Sequence, residues 1–469
     1  MIKLRKIIIH IEDDLYKNIE QSLIKNKADN FLYLYRAYRK DAKDAEIVHH
    51  LNLSNNSYYV LKSRLYDKIQ NYLSGDVNIS REEILKRLDA IPQMCFQEPR
   101  EIAIPYLEKT ESDLLKYDMH NELLTVYSTL KKINLYSEKY FHYSQLYNKH
   151  FAFSLSIEKS EEILGNFNKI IGQYNYSKSH KLLETLLFIQ KEIIGQHDLN
   201  PSKQIEIIVS FIQIQLYLFC NISLTGNLTI EEVFEITKVR INELPESSTY
   251  KYWETPLNYL YFEYYLKIGQ TQKAKVNYDL LNAKTQNILL YTGICNTSFF
   301  FTSKINFLQT TNCISEITDK SNNNVLFDIN DTHSKVQYGI YTAMVNFYKG
   351  NLKEAATILN TLLNENTFKD YFHIITDIKL TLAYIYLQMN VYDLVENILK
   401  SIVRKIKAEK NDNYKNVLTL VKIFEYELKN NNKKTTSKQK DDFIIFLGRN
   451  KDNYAILKHL IFELSKKYS

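Results

Sequence analysis

Tyr265-Leu-Lys-Ile-Gly269-Gln-Thr-Gln-Lys-Ala274, Asn346-Phe-Tyr-Lys-Gly350-Asn-Leu-Lys-Glu-Ala355 and Tyr386-Leu-Gln-Met-Asn390-Val-Tyr-Asp-Leu-Val395 are three stretches of one chain that align without gaps. Each has Gly or Asn followed five residues later by a small or β-branched apolar residue. Seven residues before each turn stand Phe262, Ala343 and Ala383. Gly and Asn tolerate the left-handed conformation that ends a helix, and small residues let two antiparallel helices approach closely. Larger apolar residues one or two turns on (Tyr278, Leu281; Leu359, Leu362; Leu399, Ile402) supply a face for the next hairpin. The spacing predicts helical hairpins turning at 269, 350 and 390.

Composition agrees. Among 469 residues there are 10 Gly and 6 Pro, where average usage gives roughly 33 and 23. Sandwiches and barrels need many turns, and this chain has few residues to make them. All six prolines lie between Pro92 and Pro256, so no helix breaker of that kind follows Leu257. Hydrophobic residues at 45% supply a core. An all-α chain follows.

The hairpin pattern resembles the tetratricopeptide repeat (TPR) family. Its small residue, Gly at the turn and Ala in the second helix are matched by Ala343, Gly350 and Ala355. Ala383, Tyr386 and Asn390 match in part, as do Tyr265, Gly269 and Ala274. The turns lie 81 and 40 residues apart, leaving room for a weak unit near Thr310, and Asn430 keeps the same step. The likeness covers roughly 250–430, with 110–250 as a decayed part. It departs from the family in its longer step, against about 34 residues per unit, and in lacking the family's Trp and inter-unit Pro.

The resemblance implies an α-α superhelix whose concave face binds a protein or peptide. Some members grip a terminal carboxylate with Lys and Asn on the first helix of each unit. The corresponding positions here are Tyr259 and Glu263, Ile340 and Met344, and Leu380 and Tyr384, so no such clamp is present. An aromatic and aliphatic groove is expected instead, with Tyr259, Glu263, Tyr341, Met344 and Tyr384 as contacts. Tyr offers a large contact area at small entropic cost.

A second pattern lies at 44–73. Glu46 to Ser54 reads as a short helix and turn, and Asn55 to Ile69 as a longer helix. The pair resembles the helix-turn-helix of bacterial sigma-factor and response-regulator DNA-binding domains. Leu51 and Leu53 flank Asn52 at the turn, and Ser54 suits an N-cap. The resemblance implies a transcriptional regulator in which Asn55, Asn56, Ser57 and Tyr59 enter the major groove and Lys62, Arg64 and Lys68 reach phosphates. Against it, His50 replaces an apolar residue and Tyr58 to Leu61 are apolar. From Phe31 to Gly75 seven Lys and Arg face four Asp and Glu, a modest excess.

The remaining stretches set the organisation. Phe31 to Tyr38 is too densely apolar for a single stripe and reads as a buried helix. Ser74-Gly75-Asp76 is a break, and Ser80 to Glu83 fits a capping box whose helix stops before Pro92. Residues 92–105 hold half the prolines and read as a joint. Turns are expected at 195–201, 225–227 and 244–245, and solvated loops at 319–324 and 429–442. The units are therefore 1–90, an N-terminal helical unit; 91–250, a helical array; and 251–469, the TPR-like hairpins with further helices.

Net charge is +6, which neither demands nor excludes nucleic acid. The apolar stretch 207–224 is interrupted by Ser210, Gln213, Gln215 and Asn221, and reads as a buried helix, not a membrane span. The N-terminus carries no signal-peptide pattern, so a cytoplasmic protein is expected. Four scattered cysteines without a C-x-x-C pair argue against disulfides or a zinc ribbon. No two glycines are closer than Gly165 and Gly172, which excludes Gly-rich phosphate loops. No metal or cofactor site is expected, and the chain reads as a non-enzymatic scaffold.

Overall fold

Gly269, Gly350 and Asn390 have φ of 73°, 79° and 59° in the computed structural model, so each expected turn is left-handed. The structure describes residues 4–5, 8–9, 13–25, 28–74, 81–97, 99–224, 228–244, 252–283, 294–317, 332–365, 371–409, 412–429, 436–450 and 455–468. These form 21 α-helices and short 3-10 turns, with no strand among the described residues. The breaks expected at 75–76, 225–227 and Pro245, the Ser80 cap, the loop at 319–324 and the turn at Asn430 lie outside the described residues.

The chain divides into two compact units. The first holds Met1–Glu158 with Asn242–Ser247, and the second Lys159–Ile241 with Ser248–Ser469. The division does not fall at the proline-containing stretch. The helix expected to stop before Pro92 runs on to Gln97, anchored by buried Ile84 and Ile91, and Pro105 also lies within a helix.

In the first unit the helices are α1 (Asp13–Lys25), α2 (Asp29–Arg39), α3 (Asp44–Leu51), α4 (Asn55–Ser74), α5 (Arg81–Gln97), α6 (Arg100–Lys116) and α7 (His120–Ile133). Helix α8 (Lys139–Ser177) contributes residues up to Glu158 here and the rest to the second unit. Leu34, Tyr35, Tyr38, Ile47, Tyr58, Leu65 and Ile69 make one core around α2 and α4. Ile84, Leu107, Leu114, Leu123, Val126 and Tyr127 make another among α5, α6 and α7.

The second unit continues with α9 (His180–Leu199), α10 (Lys203–Cys220), α11 (Ile230–Asn242), α12 (Glu254–Lys267), α13 (Thr271–Ala283) and α14 (Phe300–Thr310). Then come α15 (Thr332–Tyr348), α16 (Leu352–Asn364), α17 (Phe372–Gln388), α18 (Tyr392–Glu409), α19 (Lys415–Lys429), α20 (Ser437–Arg449) and α21 (Ile461–Tyr468). From α14 to α21 every helix packs on the next in order. The small residues Ala274, Ala343, Ala355 and Ala383 are fully buried at the hairpin contacts. Leu281, Leu359 and Leu399 are buried beside them, each removing enough apolar area to stabilise by about 2 kcal/mol. Helix α10 is long and apolar enough by composition to cross a membrane, but eleven of its 18 residues are buried within the unit. A left-handed residue, Asn312, follows α14 near the expected weak unit.

The stretch 429–442 is not wholly loop. Helix α20 starts inside it, opened by a capping box between Thr436 and Gln439 and held by buried Phe443 and Phe446. The chain then folds back. Helix α21 packs on α14 as well as on α20, so the stack is not ordered by nearest neighbours alone.

Candidate functional site

The ends of several helices in the second unit leave a cavity of about 550 Å³. Asn175 and Lys178 close the C-terminal end of α8, and Phe219 and Asn221 the end of α10. Glu263 and Lys267 come from α12, Thr302 and Ser303 from α14, and Ala455 and Lys458 from the segment before α21. A smaller lobe of about 100 Å³ shares Lys178, Glu263, Ser303 and Lys458 and adds Ile340, His373 and Asp377. Lys178, Asn221 and Leu457 are left-handed, with φ of 54°, 54° and 58°. A Leu in that conformation is strained, and the surrounding packing must hold it there.

Lys178 is 8% exposed and donates from Nζ to Asn175 Oδ1 at 3.0 Å. Burial, helped by the charge of Lys458, lowers its pKa to about 7. Lys267 donates from Nζ to the carbonyls of Tyr217 at 2.9 Å and Leu218 at 3.1 Å, so it caps the carbonyl end of α10. Burial, with Lys458 nearby, lowers its pKa to about 8. Glu263 moves the other way. Burial raises it to about 7 against the hydroxyl of Ser303 and the charge of Lys458. Its Oε1 finds no hydrogen-bond donor of good geometry among the described residues. The cavity thus places three lysines against two carboxyls, Glu263 and Asp377, and burial biases both carboxyls towards their neutral form.

Residues 455–459, before α21, build one wall. The Leu457 amide donates to Asp377 Oδ1 at 2.6 Å, and Gln309 Nε2 donates to the His459 carbonyl at 2.8 Å. His373 Nε2 lies 3.1 Å from the Ala455 carbonyl. That oxygen only accepts, which assigns the ring proton to Nε2 and leaves Nδ1 facing the Tyr414 hydroxyl at 3.3 Å. Burial lowers the pKa of His373 well below the ordinary value.

Of the expected groove residues, only Glu263 lines the cavity. Tyr259, Tyr341, Met344 and Tyr384 are 0%, 2%, 0% and 4% exposed, which corrects the expected aromatic groove. Neighbouring rings and the returning segment take up their surfaces. Phe301 lies 5.5 Å from the Tyr341 ring, and Lys467 of α21 lies 5.9 Å from the Tyr384 ring. Lys178, Lys267 and Lys458 also border the cavity. No local pattern marks them, because they meet only through the tertiary fold.

In the first unit, α3 ends at left-handed Asn52, and the Ser57 amide donates to Ser54 Oγ at 3.2 Å, capping α4. Asn55, Asn56, Ser57, Tyr59, Arg64 and Lys68 are exposed along α4. Lys62 is not, and its expected phosphate contact is corrected. It is 7% exposed, on the buried stripe of Tyr58, Leu65 and Ile69, and donates to Asp44 Oδ2 at 2.9 Å. The stripe follows from helical spacing, which puts positions 58, 62, 65 and 69 on one face.

Among the described residues no group of three or more His, Cys, Asp or Glu side chains is placed to hold a metal. Cys220 and Cys295 are buried, Cys95 and Cys313 are half-buried, and all four are free thiols. Comparison with protein-family models, with curated proteins and with solved structures gives no match.

Proposed function

We propose that the chain is a non-catalytic binding protein whose stacked hairpins act as a TPR-like receptor for a protein or peptide segment. The carrying observation is the 550 Å³ cavity set among the helix ends of the second unit, a volume in the range of ligand sites. Hairpins joined by left-handed turns at 269, 350 and 390 support the repeat reading. The seat is polar and cationic, with Lys178, Lys458 and Glu263 in place of the aromatic positions. The test is selection of a random peptide library on the full chain, followed by binding to Ser303→Trp, which fills the cavity. Folding of the variant is checked by its urea transition. Selected peptides should lose binding to the filled variant. Peptides that bind it equally well would remove the cavity from the function.

A second reading is favoured by the exposed face of α4 beyond the Asn52 turn. In it the first unit contacts DNA through Asn55, Asn56, Ser57 and Tyr59, with Arg64 and Lys68 on phosphates. Fluorescence anisotropy of a random duplex should show binding that weakens steeply with salt and is lost in Arg64→Glu/Lys68→Glu. No binding at low salt would discard this reading.

A further inference from the structure

From the cavity's geometry we infer that its ligand presents an oxyanion, a carboxylate or a phosphate, to Lys178 and Lys458. The inference rests on the receptor reading above and names the chemistry of that seat.

Three placements carry it. Lys178 is a buried amine at a helix end, held by a left-handed backbone and a bond to Asn175, and it borders both lobes of the cavity. Lys458 borders the same two lobes from the segment before α21, and its backbone is fixed by the Leu457–Asp377 bond. Lys267 donates to carbonyls at the end of α10 and adds its charge to the same space. Two lysine amines brought into one partly enclosed space cannot both hold a proton without mutual repulsion, and burial strengthens that repulsion. An oxyanion between them relieves it. A cation or an apolar group does not.

Proton linkage gives a signature. The groups facing Lys178 include Lys458, Cys220, Asn175 and the Tyr174 ring, with Glu263, His373 and Asp377 around the same cavity. With its pKa near 7, Lys178 is mostly neutral at pH 8. An oxyanion beside it restores the ammonium form, so binding takes up a proton. An oxyanion also raises Glu263 further, which acts in the same sense. Lys178 should supply the larger share.

The experiment is calorimetric titration of the full chain at pH 8 and constant ionic strength, in two buffers of different ionisation enthalpy. The probes are inorganic phosphate and an end-blocked tetraglutamate peptide, which separate phosphate from carboxylate. At least one should bind with proton uptake. Lys178→Met should weaken it at least tenfold and remove at least half of the uptake. Lys458→Ala, on an exposed side chain, should weaken it without changing the fold. Glu263→Gln removes a carboxylate from the seat and should bind the probe more tightly than the wild type. Failure of both probes to bind, or equal affinity in Lys178→Met and the wild type, overturns the inference. If library-selected peptides are lost on Ser303→Trp but indifferent to Lys178→Met, the oxyanion fails while the receptor reading stands.

Discussion

The Leu457 amide and the Asp377 carboxylate meet at 2.6 Å across 80 residues of sequence. This bond ties the segment before α21 to α17, next to the cavity. Asp377→Ala leaves a buried amide without an acceptor, at a cost of about 2 kcal/mol. Asp377→Asn keeps an accepting oxygen and should cost less. Hydrogen exchange of residues 455–468 should quicken in the Ala variant and far less in the Asn variant. Equal exchange in all three proteins would show that other contacts hold the segment.

Backbone sterics predict opposite effects at two glycines. Gly350 has φ of 79°, where a Cβ is strained; Gly350→Ala should destabilise by about 1 kcal/mol. Gly165 lies inside α8 with nothing within 4 Å of an added Cβ; Gly165→Ala should stabilise by about 0.5–1 kcal/mol. Urea denaturation distinguishes the two, and a matching sign at both positions would contradict the helix and turn assignments.

Glu263 makes stability depend on pH. Its pKa of about 7 in the folded chain stands above the ordinary 4.5. The folded state therefore keeps a proton that the unfolded state loses between these values. The stabilisation is complete below pH 4.5 and is lost as pH rises through about 7. Glu263→Gln cannot ionise. Relative to it, the wild type should lose about 1 kcal/mol between pH 4.5 and 8, a figure reduced for screening by water in the cavity. Parallel stability curves for the two proteins would refute the buried carboxyl.

In the first unit, His120 and His150 face each other through their Nδ1 atoms at 2.8 Å, beside Phe153 and Tyr127. One ring must donate and the other accept, so the contact requires a neutral ring. Burial, then the neighbouring His120, lowers His150 from 6.5 to about 4. The unfolded chain binds the extra proton first, so this stability is present above pH 6.5 and lost as pH falls through about 4. His150→Gln should lose about 2 kcal/mol less than the wild type on acidification from pH 7 to 4. The check is the urea midpoint along that series.

What the residues dictated locally, the sequence displayed. Gly269, Gly350 and Asn390 announce their turns because the left-handed conformation is a property of one residue and its immediate neighbours. Asn52 and Ser54 are legible for the same reason. Buried Ala343, Ala355 and Ala383 follow from helical period. The sequence did not disclose what covers each face. Tyr341 and Tyr384 carry the pattern of an inner surface, yet they are closed off by packing and by a segment more than 70 residues further on. Lys62 reads as a phosphate ligand until Asp44 is seen beside it. Lys178, Glu263 and Lys458 share a cavity only because four helix ends and a returning segment converge. Such convergence is set by the summed packing of distant side chains, which leaves no spacing or motif along the chain, whereas a turn is set by sterics within a few bonds.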